Sequence, residues 1–133
     1  MHLNPAVSSI VRARLSGISN IILESPLAYR PFVRLMDAST LLLTDSGGLQ
    51  EEGPSLGKPV LIMRKTTERP EGVDAGVNKL VGTEVDGIFA NTDLLLRDSA
   101  AYARMASTRN PFGDGTAAAK IAAVLRKELA SLT

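Results

Sequence analysis

Three short apolar runs, each bounded by turn residues, constrain this chain more than any other feature, Asn20 to Glu24, Thr40 to Thr44 and Pro59 to Met63, and Val77 to Val81 looks like a further short strand. A run of this length without polar alternation is what a strand buried on both faces needs, which is the situation of strands in a parallel sheet. The segments around them read at helical period. Val7, Ile10, Val11 and Leu15 follow an Asn4-Pro5 start and stop at Gly17, and Phe32, Val33, Leu35 and Met36 make a second stripe between Tyr29 and Ala38. Leu49 to Leu56, Asp93 to Met105 and Thr116 to Leu132 supply three more helices. Strand and helix alternate, so the expected fold class is α/β: a partial Rossmann-like αβα domain with a parallel sheet, binding its ligand at the carboxyl ends of the strands. About four strands is fewer than such domains usually carry, so an incomplete domain is expected.

Bulk properties narrow the function classes. A chain of 133 residues fits one compact domain. Fifteen Lys and Arg against 14 Asp and Glu leave a formal charge of +1, with no general field for nucleic acid or anionic lipid, so any anion specificity is local. The absence of cysteine excludes disulfides, thiolate nucleophiles and cysteine-ligated metals. The longest apolar runs fall far short of the roughly 20 residues of a bilayer-spanning helix, and His2, Asn4 and Pro5 do not open a secretory signal. The expectation is a cytoplasmic protein with no nucleic-acid partner, no membrane, no metal and no cofactor. One histidine near the terminus cannot build a Ser-His-Asp set, and neither HExxH nor a Walker-type phosphate loop occurs.

Chemistry concentrates at two turns. Thr44-Asp45-Ser46-Gly47-Gly48 stands where a buried strand meets a helix, and Ser46, Gly47 and Gly48 there are suited to holding a phosphate on backbone amides. The same residues equally suit a plain tight turn with Ser46 as a helix cap. On the following helix, Glu52 is placed to accept the hydroxyls of a ribose, whereas Glu51 reads as solvated. After the next strand, Met63 to Glu71 is a dense polar run in which Arg69, restrained by Pro70, offers a planar fork to a phosphate, with Arg64 as the fallback. A solvated loop of weak ion pairs is the bland alternative. Phe32 reads as core from its stripe, His2 as surface, and Asn110 to Gly115 as a turn that resets the chain before a helix capped by Thr116.

Taken together, His2-Leu3-Asn4-Pro5, Thr44 to Glu52, Pro54 to Leu61, Thr67-Glu68-Arg69-Pro70-Glu71 and Asn110 to Gly115 resemble the non-hydrolysing UDP-N-acetylglucosamine 2-epimerases, nearly end to end. The resemblance implies a two-domain architecture of the GT-B type, with UDP-sugar between two Rossmann-like domains and residues 1–133 forming the UDP-binding C-terminal portion. It implies an isomerase of cell-surface polysaccharide biosynthesis that interconverts UDP-N-acetylglucosamine and UDP-N-acetylmannosamine by removing the C2 proton, eliminating UDP and adding it back. It gives Ser46, Gly47 and Gly48 to the diphosphate, Glu52 to the ribose, Arg69 to a neighbouring polar contact, Phe32 to the uracil side, and His2 to a second UDP-sugar site. The family's catalytic carboxylates belong to its N-terminal domain and a Gly-His-Arg segment precedes the counterpart of His2, so no catalytic residue is expected here. The implied partners are UDP, UDP-N-acetylglucosamine, a missing N-terminal domain or a second copy, and the chain alone is expected to show no epimerase activity. A non-catalytic UDP-sugar-binding module, half of a split enzyme and a glycosyltransferase half are the competing expectations.

Overall fold

The structure is a computed structural model that describes residues 4–130 and falls into two compact units, Met1–Leu35 and Met36–Thr133. His2 lies outside the described residues.

The first unit holds helix α1 (Pro5–Leu15) and most of α2 (Tyr29–Ala38), which runs on across the unit boundary. Asn4 caps α1 by accepting the Ala6 N–H at 3.0 Å, and Pro5 at the first helical position has no amide to satisfy. The expected strand from Asn20 to Glu24 does not form. Ile22 is 89% exposed, and the Ile21 N–H donates to the Ile18 carbonyl in a turn. An apolar run becomes a strand only where a neighbouring strand takes its backbone groups, and among the described residues none pairs with this one.

The second unit contains a three-stranded parallel sheet in the order β1 (Leu42–Thr44), β2 (Val60–Ile62), β3 (Asn78–Leu80). Leu42, Leu43 and Thr44 stand opposite Val60, Leu61 and Ile62, which in turn stand opposite Asn78, Lys79 and Leu80. The expected α/β class with a parallel sheet is therefore what the chain adopts. Strands of three residues carry few ladder bonds. What fixes them is burial of Val60, Leu61 and Ile62 at 0% exposure, where each side chain contributes about 1.5–3 kcal/mol.

Helices cover both faces. Helix α3 (Gly47–Ser55) packs on the Val60 side, so closely that a Cβ on Gly53 would stand 2.5 Å from Val60 Cγ2 and 2.7 Å from Leu42 Cδ1. On the opposite side Leu61 clusters with Val81, with Leu95 of α5 (Val85–Arg97) and with Ala101 of α6 (Ser99–Ala106). A short helix, α4 (Pro70–Asp74), joins β2 to β3, and α7 (Ala117–Ala130) ends the described chain. The single helix expected from Asp93 to Met105 is two, because Asp98 accepts the Ala100 and Ala101 N–H groups at 2.9 Å and starts a new helix. No helix among the described residues is long and apolar enough to cross a membrane.

Candidate functional site

The two polar turns of the sequence meet at the carboxyl edge of the sheet. Strands β1 and β2 end level, with the Met63 N–H donating to the Thr44 carbonyl at 2.9 Å. The chain then leaves β1 through Asp45 into α3, and the Thr44 hydroxyl oxygen accepts the Ser46 N–H at 3.0 Å, fixing the angle of departure. Ser46 occupies the N-cap position in extended conformation, yet its hydroxyl makes no capping hydrogen bond. Of the two readings of this turn, the one in which the Ser46 side chain caps the helix is therefore not what forms. Gly47 and Gly48 are also not loop residues, since they form the first turn of α3, whose amides have no carbonyl behind them to bond. An open helix N-terminus with an uncommitted hydroxyl beside it attracts anions through aligned amides and the helix dipole.

Arg69 comes to the same place from the other turn. A Cβ on Gly47 would lie 3.8 Å from Arg69 Cζ and 2.6 Å from Glu68 Oε1. The guanidinium is held by carboxylates: its Nε donates to Glu51 Oε1, and its Nη1 lies 3.5 Å from Glu68 Oε1. Glu51, read as solvated from the sequence, is therefore the residue that aims Arg69. The Glu51 hydrogen bond raises the Arg69 pKa above its ordinary value, with the charges of Glu51, Glu68 and Glu71 adding to it. Glu68 in turn accepts from Arg64 Nη1 at 2.7 Å, which commits the fallback phosphate partner. The Glu68 carboxyl sits below its usual range because its own backbone N–H and the Arg64 and Arg69 cations favour the charged form. With only Nε and Nη1 engaged, the planar fork of Arg69 still carries donors for an anion.

Glu52 is half-buried on α3, and no hydrogen bond or ion pair engages its carboxylate among the described residues. It lies about 9 Å along the helix axis from Ser46. Phe32 is half-buried on α2 in the first unit, where its N–H donates to the Ala28 carbonyl at 3.1 Å. The structure brings Ser46, Gly47, Gly48 and Arg69 together and sets Glu52 farther along the same helix.

Sequence reasoning passed over Gln50. Its side chain is fully buried, with Nε2 donating to the Ser46 carbonyl at 3.3 Å and Oε1 accepting from the Thr67 hydroxyl. A long polar side chain at a core position of α3 was the available signal.

Asn110 to Gly115 shapes the far end of this layer. Asn110 Nδ2 donates to Ser55 Oγ at 2.9 Å, so the turn is pinned to the end of α3. Thr116 stands directly before α7 with its carbonyl accepting the Lys120 N–H at 3.1 Å, as expected of the residue that opens the helix, and Asp114 braces it by accepting the Thr116 N–H at 3.0 Å and pairing with Lys120 at 3.1 Å. Depressions of about 430 and 380 Å³ lie elsewhere, one lined by Asn78, Asn91, Leu95 and Arg104, the other by Arg109, Asn110, Asp114 and Lys120. Among the described residues no group of three or more acidic or histidine side chains is arranged to hold a metal ion.

The family profile described as UDP-N-acetylglucosamine 2-epimerase matches residues 1–126. The UDP-N-acetylglucosamine 2-epimerase of Yersinia pestis is 53% identical over 132 residues, which are 99% of this chain and 35% of that protein. The structure of S. aureus MnaA with UDP superimposes with a TM-score of 0.91 at 40% identity, over 97% of this chain and 35% of that one. The Neisseria meningitidis UDP-GlcNAc 2-epimerase bound to UDP-GlcNAc gives a TM-score of 0.86 at 48% identity, over 96% and 35% of the two chains. The chain spans about a third of the length of the relatives it matches.

Proposed function

The chain belongs to the UDP-N-acetylglucosamine 2-epimerase family, and from that premise we propose that it supplies the UDP-binding side of a nucleotide-sugar cleft. The diphosphate lies on the Gly47 and Gly48 amides beside the Ser46 hydroxyl, Arg69 contributes a charged fork from the adjoining loop, and Glu52 accepts the ribose hydroxyls. The observation that carries this reading is the Arg69 guanidinium standing against Gly47 at the open start of α3. Two anion-binding devices, the Gly47 and Gly48 amides of one turn and Arg69 of another, then face one ligand. The uracil contact of Phe32 and the second-site role of His2 rest on the family resemblance alone.

The reaction proposed for the whole enzyme is the interconversion of UDP-N-acetylglucosamine and UDP-N-acetylmannosamine, in the cytoplasm. Proton transfer at the sugar C2 needs positioned acids and bases. In this reading those come from the part of the relatives' length that the chain does not span, and the 133 residues bind UDP without epimerising the sugar.

Calorimetric titration with UDP and with UDP-N-acetylglucosamine tests the proposal. Saturable binding that weakens in both Ser46→Ala and Glu52→Ala is the expected result. A folded chain that binds neither ligand contradicts it, and turnover of UDP-N-acetylglucosamine by the pure chain contradicts the division of labour.

A further inference from the structure

We infer that Gln50 is a positioning residue of the diphosphate site, its buried amide setting the separation between the Ser46–Gly48 turn and Arg69. The inference rests on the reading proposed above. Four polar groups in series carry it: the Ser46 carbonyl, the Gln50 amide, the Thr67 hydroxyl and the Arg69 N–H.

Only one arrangement of protons satisfies this series. The Thr67 hydroxyl oxygen accepts the Arg69 N–H at 3.0 Å, so its own proton is directed to Gln50 Oε1. With Oε1 the acceptor, Nε2 faces the Ser46 carbonyl and donates to it at 3.3 Å. Turning the amide over would set Oε1 against that carbonyl, two acceptors face to face, in a residue with no exposure to water. The amide therefore has a fixed sense, and so do both ends it ties.

Each end belongs to the site. Ser46 is the N-cap of α3, and Arg69 is the N-cap of α4, with Pro70 next to it limiting the backbone. Gln50 is itself locked from behind. Pro54 has no N–H to give to the Gln50 carbonyl four residues earlier, and Asn78 Nδ2 of β3 takes that place at 2.9 Å. Helix α3 thus grips the Arg69 loop with two consecutive residues, Gln50 through Thr67 for the backbone and Glu51 for the guanidinium. A carboxylate in place of the Gln50 amide would lose the donor to Ser46 and bring a negative charge to an anion site. A hydrocarbon would leave the Ser46 carbonyl and Thr67 hydroxyl without their partner.

The test titrates the 133-residue chain with UDP in Gln50→Met, Thr67→Val, Arg69→Ala and Gln50→Met/Arg69→Ala variants. Gln50→Met keeps side-chain length and removes the amide, and Thr67→Val breaks the same series from the loop side should Gln50→Met fail to fold. The expected result is a loss of UDP affinity of about tenfold in each of the first two. The double variant is expected to bind within about threefold of Arg69→Ala, because both changes act on the same group. Unchanged UDP affinity in Gln50→Met and Thr67→Val, with both folded, overturns the inference, as does full multiplication of the two losses in the double variant. Amide hydrogen exchange without ligand gives a reading independent of UDP: the Arg69 N–H is expected to exchange faster in Gln50→Met than in the wild type, and an unchanged rate overturns the role of Gln50. A wild-type chain that does not bind UDP contradicts the proposed function instead, and the exchange measurement then decides the placement of Arg69 by Gln50.

Discussion

Two glycine-to-alanine changes on one helix separate binding from stability. At Gly53 the added methyl would lie 2.5 Å from Val60 Cγ2 and 2.7 Å from Leu42 Cδ1. Ordinary carbon contacts are 3.5–4.0 Å, so the shortfall is about 1 Å against two apolar groups at once. Val60 is completely buried in the central strand, and neither it nor α3 can yield without opening the sheet interface. Overpacking of this kind costs about 1–3 kcal/mol, of which better helix propensity returns about 1 kcal/mol. The net destabilisation is about 0–2 kcal/mol, toward its upper end because the methyl meets two apolar groups at once, and in a unit of this size each kcal/mol lowers the melting temperature by about 4–8 °C. At Gly47 the new methyl meets Glu68 Oε1 at 2.6 Å, the far end of a flexible, exposed side chain that can swing aside. The expected stability change there is within about 0.5 kcal/mol. With the diphosphate on the α3 amides as proposed, the same methyl stands in its way, and UDP affinity is expected to fall about tenfold or more. Urea unfolding followed by circular dichroism reads the first quantity and calorimetry the second. A Gly53→Ala chain as stable as the wild type, or a Gly47→Ala chain that binds UDP undiminished, refutes the reasoning.

Three further outcomes follow from the same geometry. Glu68 presents a carboxylate over Gly47, so Glu68→Gln is expected to raise UDP affinity about two- to fivefold in a titration at fixed salt, the scale of a partly exposed charge interaction. If the Glu52 carboxylate accepts from the ribose hydroxyls as proposed, Glu52→Gln weakens UDP by about tenfold and 2′-deoxy-UDP by less; equal losses for the two nucleotides would place Glu52 away from the sugar. Asp114 is held down to about 2 by the Thr116 hydroxyl first, then by the Thr116 N–H and Lys120. Its folded-state pKa lies below the unfolded one, so its contribution is whole above about pH 4 and is lost as pH falls through about 2. Urea midpoints across that window should fall less steeply in Asp114→Asn than in the wild type.

Much of this was legible in the sequence, for identifiable reasons. Val60–Ile62 is buried on both faces and leaves a continuous apolar signature, whereas the strands beside it, Leu42–Thr44 and Asn78–Leu80, each expose their middle residue and were legible from the flanking apolar residues. The run at Asn20 to Glu24 has the same signature and forms no strand, since pairing depends on a neighbour that local sequence does not specify. Asp98 broke a helix that apolar period alone had run straight through, a local side-chain bond overriding the stripe. At the candidate site, the position of Ser46, Gly47, Gly48 and Arg69 in turns after strands was readable from the sequence. What spacing could not give was the network between the turns. Glu51 looks solvated and Gln50 unremarkable until folding brings Thr67, 17 residues on, and Arg69, 18 residues on from Glu51, against the same helix. Pairings at that separation are set by the packing of α3 on the sheet, not by any local pattern.

The central claim is that the diphosphate of UDP lies on the first turn of α3 beside Arg69, and amide chemical shifts report on that position directly. In a titration of the isotopically labelled chain, UDP is expected to shift the Gly47, Gly48 and Arg69 resonances saturably, while uridine without phosphate leaves them nearly unmoved. Saturable shifts that leave those three amides unchanged, or equal responses to UDP and uridine, contradict the account.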